Sequence, residues 1–121
     1  MNSKSTTLKF NDFINKHDIQ ALSKLITIDH TFIDRESKVI KSKNEVIDVW
    51  TNFFEMYPDY KNHIERVEVK KEYIVLVGYA YWDENSKCDN ALWTAKVENG
   101  LVAEWRVYYD TKENRRNLGI V

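Results

Sequence analysis

The spacing of apolar residues along the chain changes at Pro58, from a period of about 3.6 residues to a period of 2. Before that point the spacing predicts a first helix from Phe10 to His17 and a second, short helix capped by Asp18. After that point, alternating positions predict strands. A chain with helices first and a meandering sheet afterwards is predicted to be an α+β fold in one domain.

The segment between residues 28 and 58 predicts a short strand and the clearest helix of the chain. Residues 28–34 have the composition of an extended piece, and the polar residues 35–43 lead out of it. Ser42 and Glu45 then form a capping box, in which each side chain satisfies a backbone N–H that the helix leaves without a partner. Pro58 ends this helix. Its apolar face consists of Val46, Trp50, Phe53, Phe54 and Tyr57.

Four further strands are predicted, over residues 62–70, 73–82, 91–97 and 101–110. The strand 73–82 is apolar on both faces, which indicates a central strand or one covered by a second subunit. Asn99 and Gly100 predict the tight turn before the last strand, because both tolerate positive φ. The polar tail 111–121 is expected to be loosely ordered. The last strand places Leu101, Ala103, Trp105, Val107 and Tyr109 on one face.

Composition and charge narrow the possible partners. The net charge of -1 shows no excess of Lys and Arg, so we expect no nucleic-acid partner. No apolar run is long enough to span a bilayer, so we expect no membrane partner either. Residues 1–7 lack the apolar run of a secretory signal, and the single cysteine, Cys88, fits a reducing compartment. A cytoplasmic location is therefore expected.

Three segments carry a resemblance to a known family. They are Met56-Tyr57-Pro58-Asp59-Tyr60 at the end of the third helix, Glu98-Asn99-Gly100-Leu101-Val102 at the last turn, and Glu104-Trp105-Arg106-Val107-Tyr108-Tyr109-Asp110 in the last strand. In this order they resemble the nuclear transport factor two-like superfamily, and within it the SnoaL-like group. The resemblance covers residues 9–110 and implies one SnoaL-like domain over 1–121, with its core at about 8–110.

The resemblance implies a cystatin-like cone, in which N-terminal helices pack on a strongly curved, mostly antiparallel sheet and leave a cavity. It also implies a homodimer formed through the outer sheet face, where we expect Ile74, Leu76, Trp82, Leu92 and Tyr108. We expect the cavity to bind a small apolar or aromatic ligand, because the polar tips of buried Tyr and Trp need partners that a dry core seldom supplies. The alternative is that the same rings form plain core. The predicted ligand-binding residues are Trp50, Tyr57, Tyr79, Tyr81, Trp93, Trp105 and Tyr109.

Asp34 is the candidate catalytic residue. It matches the position of the general base in ketosteroid-isomerase-like members, and desolvation in an aromatic pocket would make it a stronger base. The position of the acidic donor in those enzymes falls on Trp93, so the pair is incomplete. The sites of the epoxide-hydrolase-like members fall near Tyr79, Tyr81 and Val107, which carry no charge.

The remaining candidates for chemistry are weaker. Asp110 is a second candidate for an acid or base, on the face opposite Trp105. The spacing of His17, His30 and His63 matches no metal motif, so neither a metal nor another cofactor is expected.

Three functions stay open from the sequence. The first is a binding module for a small molecule. The second is an isomerase, cyclase or dehydratase that uses Asp34 as base, without metal, and Tyr79, Tyr81 or Trp93 as hydrogen-bond donors. The third is a protein-interaction module that uses the outer sheet face.

Overall fold

A computed structural model describes residues 2–83 and 88–121 of the chain. In the first half two helices precede two strands and a third helix, and four antiparallel strands with a final helix follow. In chain order the elements are α1 (Ser3–Lys16), α2 (Ile19–Lys24), β1 (Ile26–Ile33), β2 (Val39–Lys41), α3 (Lys43–Met56), β3 (Lys61–Val69), β4 (Ile74–Tyr81), β5 (Asp89–Glu98), β6 (Leu101–Tyr109) and α4 (Lys112–Asn117).

Local capping chemistry sets the helix boundaries. The Ser42 hydroxyl accepts the backbone N–H of Glu45 at the start of α3, and the Asp18 carboxylate accepts that of Ala21 at the start of α2, as the sequence predicts. The second half of the predicted capping box does not form, because the Ser42 N–H donates to the His30 carbonyl oxygen at 3.0 Å. Helix α1 begins earlier than expected, because Asn2 caps it. No described helix combines the length and the apolar character needed to cross a bilayer.

The six strands form one sheet in the order β2-β1-β6-β5-β4-β3. Among the strand pairs of the described residues only β1–β6 is parallel, so the α+β fold with helices packed on a mostly antiparallel sheet is confirmed. A β-bulge interrupts the β3–β4 register between Ile64 and Arg66. A Cβ atom added at Gly78 would lie 1.9 Å from the carbonyl oxygen of His63. The bulge bends the sheet, and the glycine allows the two backbones to approach at that bend.

The sheet has an inner face toward the helices and an outer face away from them. The inner face carries the main core, in which residues of β4, β5 and β6 meet α1 and α3. The members of that core on the three strands are Ile74, Leu76, Ala80, Ala91, Trp93, Ala95, Val102 and Trp105. A second, smaller cluster covers the outer face and consists of Val75, Val77, Leu92, Leu118 and Ile120, with Tyr73 and Tyr108 against it.

The expectation of a loosely ordered tail was wrong. Thr111 caps α4, and two of the apolar residues after the helix, Leu118 and Ile120, are only 8% and 6% exposed, because they pack against the outer face. Hydrophobic burial fixes this segment although its helix is polar. The tail is held by Arg66, which donates to the Val121 backbone oxygen at 2.9 Å, and by Lys70, which donates to that of Gly119 at 2.7 Å.

Arg115 anchors α4 to the end of β6. Its guanidinium donates to both carboxylate oxygens of Asp110, at 2.6 and 2.8 Å. The hydrogen bonds from Arg115 hold the pKa of the Asp110 carboxyl below its usual value. Asp110, the second candidate for acid–base chemistry, therefore forms an ion pair within the tail.

The structure also corrects the assignment of the two faces of β4. Ile74, Leu76 and Trp82, expected outside, belong to the inner core. Tyr79 and Tyr81, expected in the pocket, alternate with Ile74 and Leu76 and so fall on the outer side. Alternation separates two faces but does not say which one meets the helices.

The outer face agrees with the prediction in part. Leu92 and Tyr108 lie outside as expected, but Leu118 and Ile120 cover part of the face expected to dimerise. The homodimer stays a prediction. The short edge strand β2 lies within residues 35–43, which the sequence reading treats as a polar connection.

Candidate ligand pocket

A cavity of about 430 Å³ lies between α3, the β1–β2 segment and the inner face of the sheet. Most of its wall is apolar and aromatic, and its charged residues all come from the connection between β1 and β2. The apolar and aromatic wall consists of Phe32, Ile40, Val49, Trp50, Phe53, Tyr60, Ala80, Trp82, Ala91, Trp93, Trp105 and Val107. The charged residues are Asp34, Arg35, Glu36 and Lys38.

The cavity exists because large rings face very small side chains. Gly78 pairs with Ala91 across β4 and β5, and Ala80 lies two residues along on the same face. Opposite this patch, α3 presents Trp50 and Phe53, whose rings are held rigidly at 5.8 Å in an edge-to-face pair. Rings fixed by their own packing cannot collapse into the space that the small residues leave. The run of small inner-face residues is the sequence signal that could have located the cavity.

Three tryptophans in the wall bury their indole N–H groups. Trp50, Trp93 and Trp105 are 5%, 1% and 0% exposed, and none of the three Nε1 atoms has an acceptor among the residues that the structure describes. A buried donor without a partner costs about 1–3 kcal/mol. Trp82 differs, because its Nε1 donates to the Asp89 carboxylate at 2.9 Å. The wall therefore holds three polar groups that the described protein residues leave unsatisfied.

A cluster of rings closes the side of the cavity near the end of α3. Trp82 lies edge-on to Phe53, Tyr57 and Tyr60, with ring centroids 5.4, 4.9 and 5.1 Å away. The Tyr60 hydroxyl donates to the Asn62 side chain at 2.5 Å, and burial raises the pKa of this phenol. Tyr60 is therefore a neutral, fixed part of the wall. Tyr57 packs behind Phe53 and Trp82 and does not line the cavity itself.

Asp34 lines the cavity at the turn between β1 and β2 and also organises that turn. Its Oδ1 atom accepts the backbone N–H groups of Glu36 and Lys38 at 2.9 and 3.0 Å. An aspartate that accepts local backbone donors in this way is typical of turns. The carboxylate thus has a structural role, although it remains at the cavity wall.

Arg35 and Tyr109 form the rim on the other side of this turn. The Arg35 guanidinium carbon lies 4.9 Å from the Tyr109 ring centroid and 5.8 Å from that of Trp82. Tyr109 is 43% exposed and donates its hydroxyl proton to the Glu36 carboxylate, and this hydrogen bond raises the pKa of Tyr109. Rim and wall therefore differ in kind, because the rim is charged and the wall is apolar.

The structure brings together part of the predicted binding set. Trp50, Trp93 and Trp105 line the cavity, and so does Asp34. Tyr57 and Tyr109 contact lining residues.

Tyr79 and Tyr81 lie on the outer side, where Tyr79 stacks on His63 at 4.8 Å. Sequence reasoning did not select Phe32, Phe53, Tyr60, Trp82 and Arg35 for the pocket. Phe53 could have been assigned to the pocket from the sequence, because it shares the apolar face of α3 with Trp50.

The three histidines do not converge. His17 lies against Phe54, and His63 lies on the outer side of the sheet. His30 is fully buried in the core next to Phe10, and its Nδ1 atom lies 2.6 Å from the Val102 carbonyl oxygen. Burial lowers the pKa of His30. Among residues 2–83 and 88–121 there is no group of three or more His, Cys, Asp or Glu side chains that could hold a metal ion.

No protein-family model and no curated protein sequence matches the chain. Solved structures do match it in fold. An NTF2-like protein of unknown function from Cytophaga hutchinsonii superposes with a TM-score of 0.76 at 16% identity, over 98% of this chain and 96% of that one. A candidate SnoaL-like polyketide cyclase from Shewanella putrefaciens gives 0.78 at 17%, over 98% and 87%.

A third structure gives the same result. An uncharacterised cystatin-fold protein from Novosphingobium aromaticivorans superposes with a TM-score of 0.78 at 12% identity, over 88% of this chain and 97% of that one. The chain therefore has the cone-shaped fold of the NTF2-like and SnoaL-like proteins, and the resemblance seen in the sequence is confirmed for the fold. At these identities the likeness extends to the fold alone.

Proposed function

We propose that this chain is a small-molecule binding protein whose ligand occupies the cavity under α3. The single observation that carries this proposal is a cavity of about 430 Å³ whose wall is apolar and aromatic and whose charged residues gather in one connection at its rim. A cavity of this size is within the range of about 300–1,000 Å³ that is usual for ligand sites. An apolar or aromatic ligand body would fit this wall.

The charged groups at the cavity favour binding over catalysis. Among the described lining residues the carboxylates are Asp34 and Glu36. Asp34 accepts two backbone donors, and Glu36 accepts the Tyr109 hydroxyl. Each carboxylate is therefore engaged in holding the rim, and the Tyr60 hydroxyl, also in the described lining, donates to the Asn62 side chain.

A neutral fluorescent dye, N-phenyl-1-naphthylamine, tests the proposal. Its fluorescence should rise in a saturable titration of the wild-type protein, because the dye enters an apolar site. Ala91→Leu places a larger side chain in the cavity wall and should weaken dye binding about tenfold or more, since overlap with a ligand excludes it. Val49→Phe, on half-buried α3 surface at the same wall, serves as a second filling variant.

The matched control is Ala21→Leu, the same chemical change on α2, outside the cavity lining. It should bind the dye as the wild type does. Thermal melting of each variant separates loss of the cavity from loss of the fold. Absence of saturable dye binding, or binding that is equal in both filling variants and the wild type, would contradict a ligand cavity.

A proton-transfer enzyme is the second candidate, and Asp34 at the cavity wall is the observation that favours it. Candidate SnoaL-like polyketide cyclases are among the structures with this fold. The elimination reaction of 5-nitrobenzisoxazole reports a carboxylate base in an apolar site, because removal of the ring C–H proton breaks the N–O bond and releases a coloured phenolate. Turnover that Asp34→Asn abolishes, with dye binding retained, would establish this candidate over simple binding.

A further inference from the structure

Arg35 has hydrogen-bonding capacity that the described residues do not use. Among the described residues its ionic partner is Asp89, with Nη1 and Oδ2 3.7 Å apart, which is longer than a hydrogen bond. Its remaining contacts are with the faces of Tyr109 and Trp82. Five N–H donors on one planar group therefore lie at the cavity rim without an acceptor at hydrogen-bond distance among the described residues.

The carboxylates near Arg35 are, in contrast, each already bonded. Asp34 accepts two backbone N–H groups, Glu36 accepts the Tyr109 hydroxyl, and Asp89 accepts the Trp82 indole at 2.9 Å. Lys38 adds a second positive charge to the same rim. At this entrance the carboxylates thus have hydrogen-bond partners among the described residues, whereas the side-chain N–H donors of Arg35 and Lys38 have none there.

The Arg35 guanidinium lies over two aromatic rings, those of Tyr109 and Trp82. A guanidinium that rests on two aromatic rings presents its N–H groups outward from its edge, in the fork that pairs with a carboxylate through two parallel hydrogen bonds. Beyond Arg35 the wall is apolar and aromatic, from Trp82 to Trp105. A ligand that matches both parts has an apolar body and one acidic end.

We propose that the cavity takes an amphipathic carboxylic acid, with its apolar body inside and its carboxylate bound by Arg35 at the rim. This inference rests on the proposed binding function and adds the chemical class of the ligand. The rim also carries Asp34, Glu36 and Asp89, so an amine is the competing class, and the experiment compares the two directly.

Three probes with one body separate these classes: 2-naphthoate, 2-naphthalenemethanol and 2-naphthylmethylamine. Each is titrated as a competitor of bound N-phenyl-1-naphthylamine. On the wild type the acid should bind about tenfold more tightly than the alcohol, since hydrogen bonds to charged groups are the strong ones and this rim is partly exposed. Arg35→Gln should reduce the acid to the level of the alcohol and leave the alcohol unchanged. Arg35→Lys should recover part of the difference.

Lys41→Gln is the matched control, because it removes one positive charge from the exposed strand β2 outside the cavity lining. It should preserve the preference for the acid. A tighter amine than acid, or a preference for the acid that survives Arg35→Gln, overturns the assignment of the ligand class while the cavity itself stands. If neither the dye nor any naphthalene probe binds the wild type, the proposed function and this inference fail together.

Discussion

The two faces of one sheet are packed in opposite ways. On the inner face, large rings on α3 stand opposite Gly78, Ala80 and Ala91, and a cavity of about 430 Å³ remains. On the outer face, aliphatic side chains of similar size meet Leu118 and Ile120 and pack without such a mismatch. The difference shows that a hollow in this fold comes from pairing rigid rings with the smallest residues, since matched side chains fill their space.

The two faces of the sheet also differ in what their polar groups contact. The inner face buries three indole N–H groups with no acceptor among the described residues. The outer face uses Arg66 and Lys70 to satisfy backbone oxygens of the tail. The outer face thus uses two long cationic side chains to hold the chain's own C-terminal segment. The predictions below test this contrast, beginning with the largest effect.

Gly78→Ala should damage the inner face most. The added methyl group would lie 1.9 Å from the His63 backbone oxygen, so β3 and β4 must separate where the sheet bends. We expect a loss of about 3 kcal/mol or more in the free energy of unfolding, measured by urea denaturation. Gly100→Ala is the control, because that turn position has a φ of 78° but open space around it, and should cost about 1 kcal/mol. Equal losses in the two variants would show that close approach at Gly78 is unimportant.

Leu118→Ser combined with Ile120→Ser should uncover the outer face. Both side chains are buried against Val75, Val77 and Leu92, and serine cannot replace that contact. We expect a loss of about 2 kcal/mol in unfolding free energy and increased self-association in sedimentation velocity, because an apolar patch becomes accessible.

Val121→Ser is the control for this pair, since that side chain is 91% exposed and the change should alter neither property. A double variant that stays as stable and as unassociated as the wild type would mean that the tail does not cover the face in solution.

A smaller effect distinguishes His30 in the inner core from His63 on the outer side. Burial lowers the pKa of His30 from 6.5, so the folded state binds fewer protons than the unfolded state in acid. The stability that depends on neutral His30 is complete above pH 6.5 and declines as the pH falls below it, by up to about 1.4 kcal/mol per pH unit.

Urea denaturation between pH 5 and pH 7.5 measures this dependence. His30→Gln should flatten the decline, whatever its effect on stability at neutral pH. His63→Gln should keep the slope of the wild type. If the slope persists in His30→Gln, another group is responsible for the loss of stability in acid.

Residues close in sequence account for what could be predicted. Caps at Asp18 and Ser42, the stop at Pro58 and the turn at Asn99 act within a few residues, so their effects can be read from a single chain. The same holds for the alternation between Trp105 and Val107 in β6. At the start of that strand the predicted alternation was wrong, because a register shift between Lys96 and Val97 brings Val102 into the inner core with Trp105. The residue type and the spacing of Trp50, Trp93 and Trp105 predict that they line the pocket, and all three line the cavity.

Contacts between distant residues decided the rest. Local patterns in the sequence identified the first three helices and five of the six described strands, and they separated the two faces of β4. Only the tertiary structure decided which face of β4 meets the helices, where Leu118 and Ile120 dock, and that Asp34 is bound to its own turn while Arg35 faces the entrance. The physical reason is that capping and alternation are local interactions, whereas a cavity and a covered face depend on which surfaces the folded chain brings together.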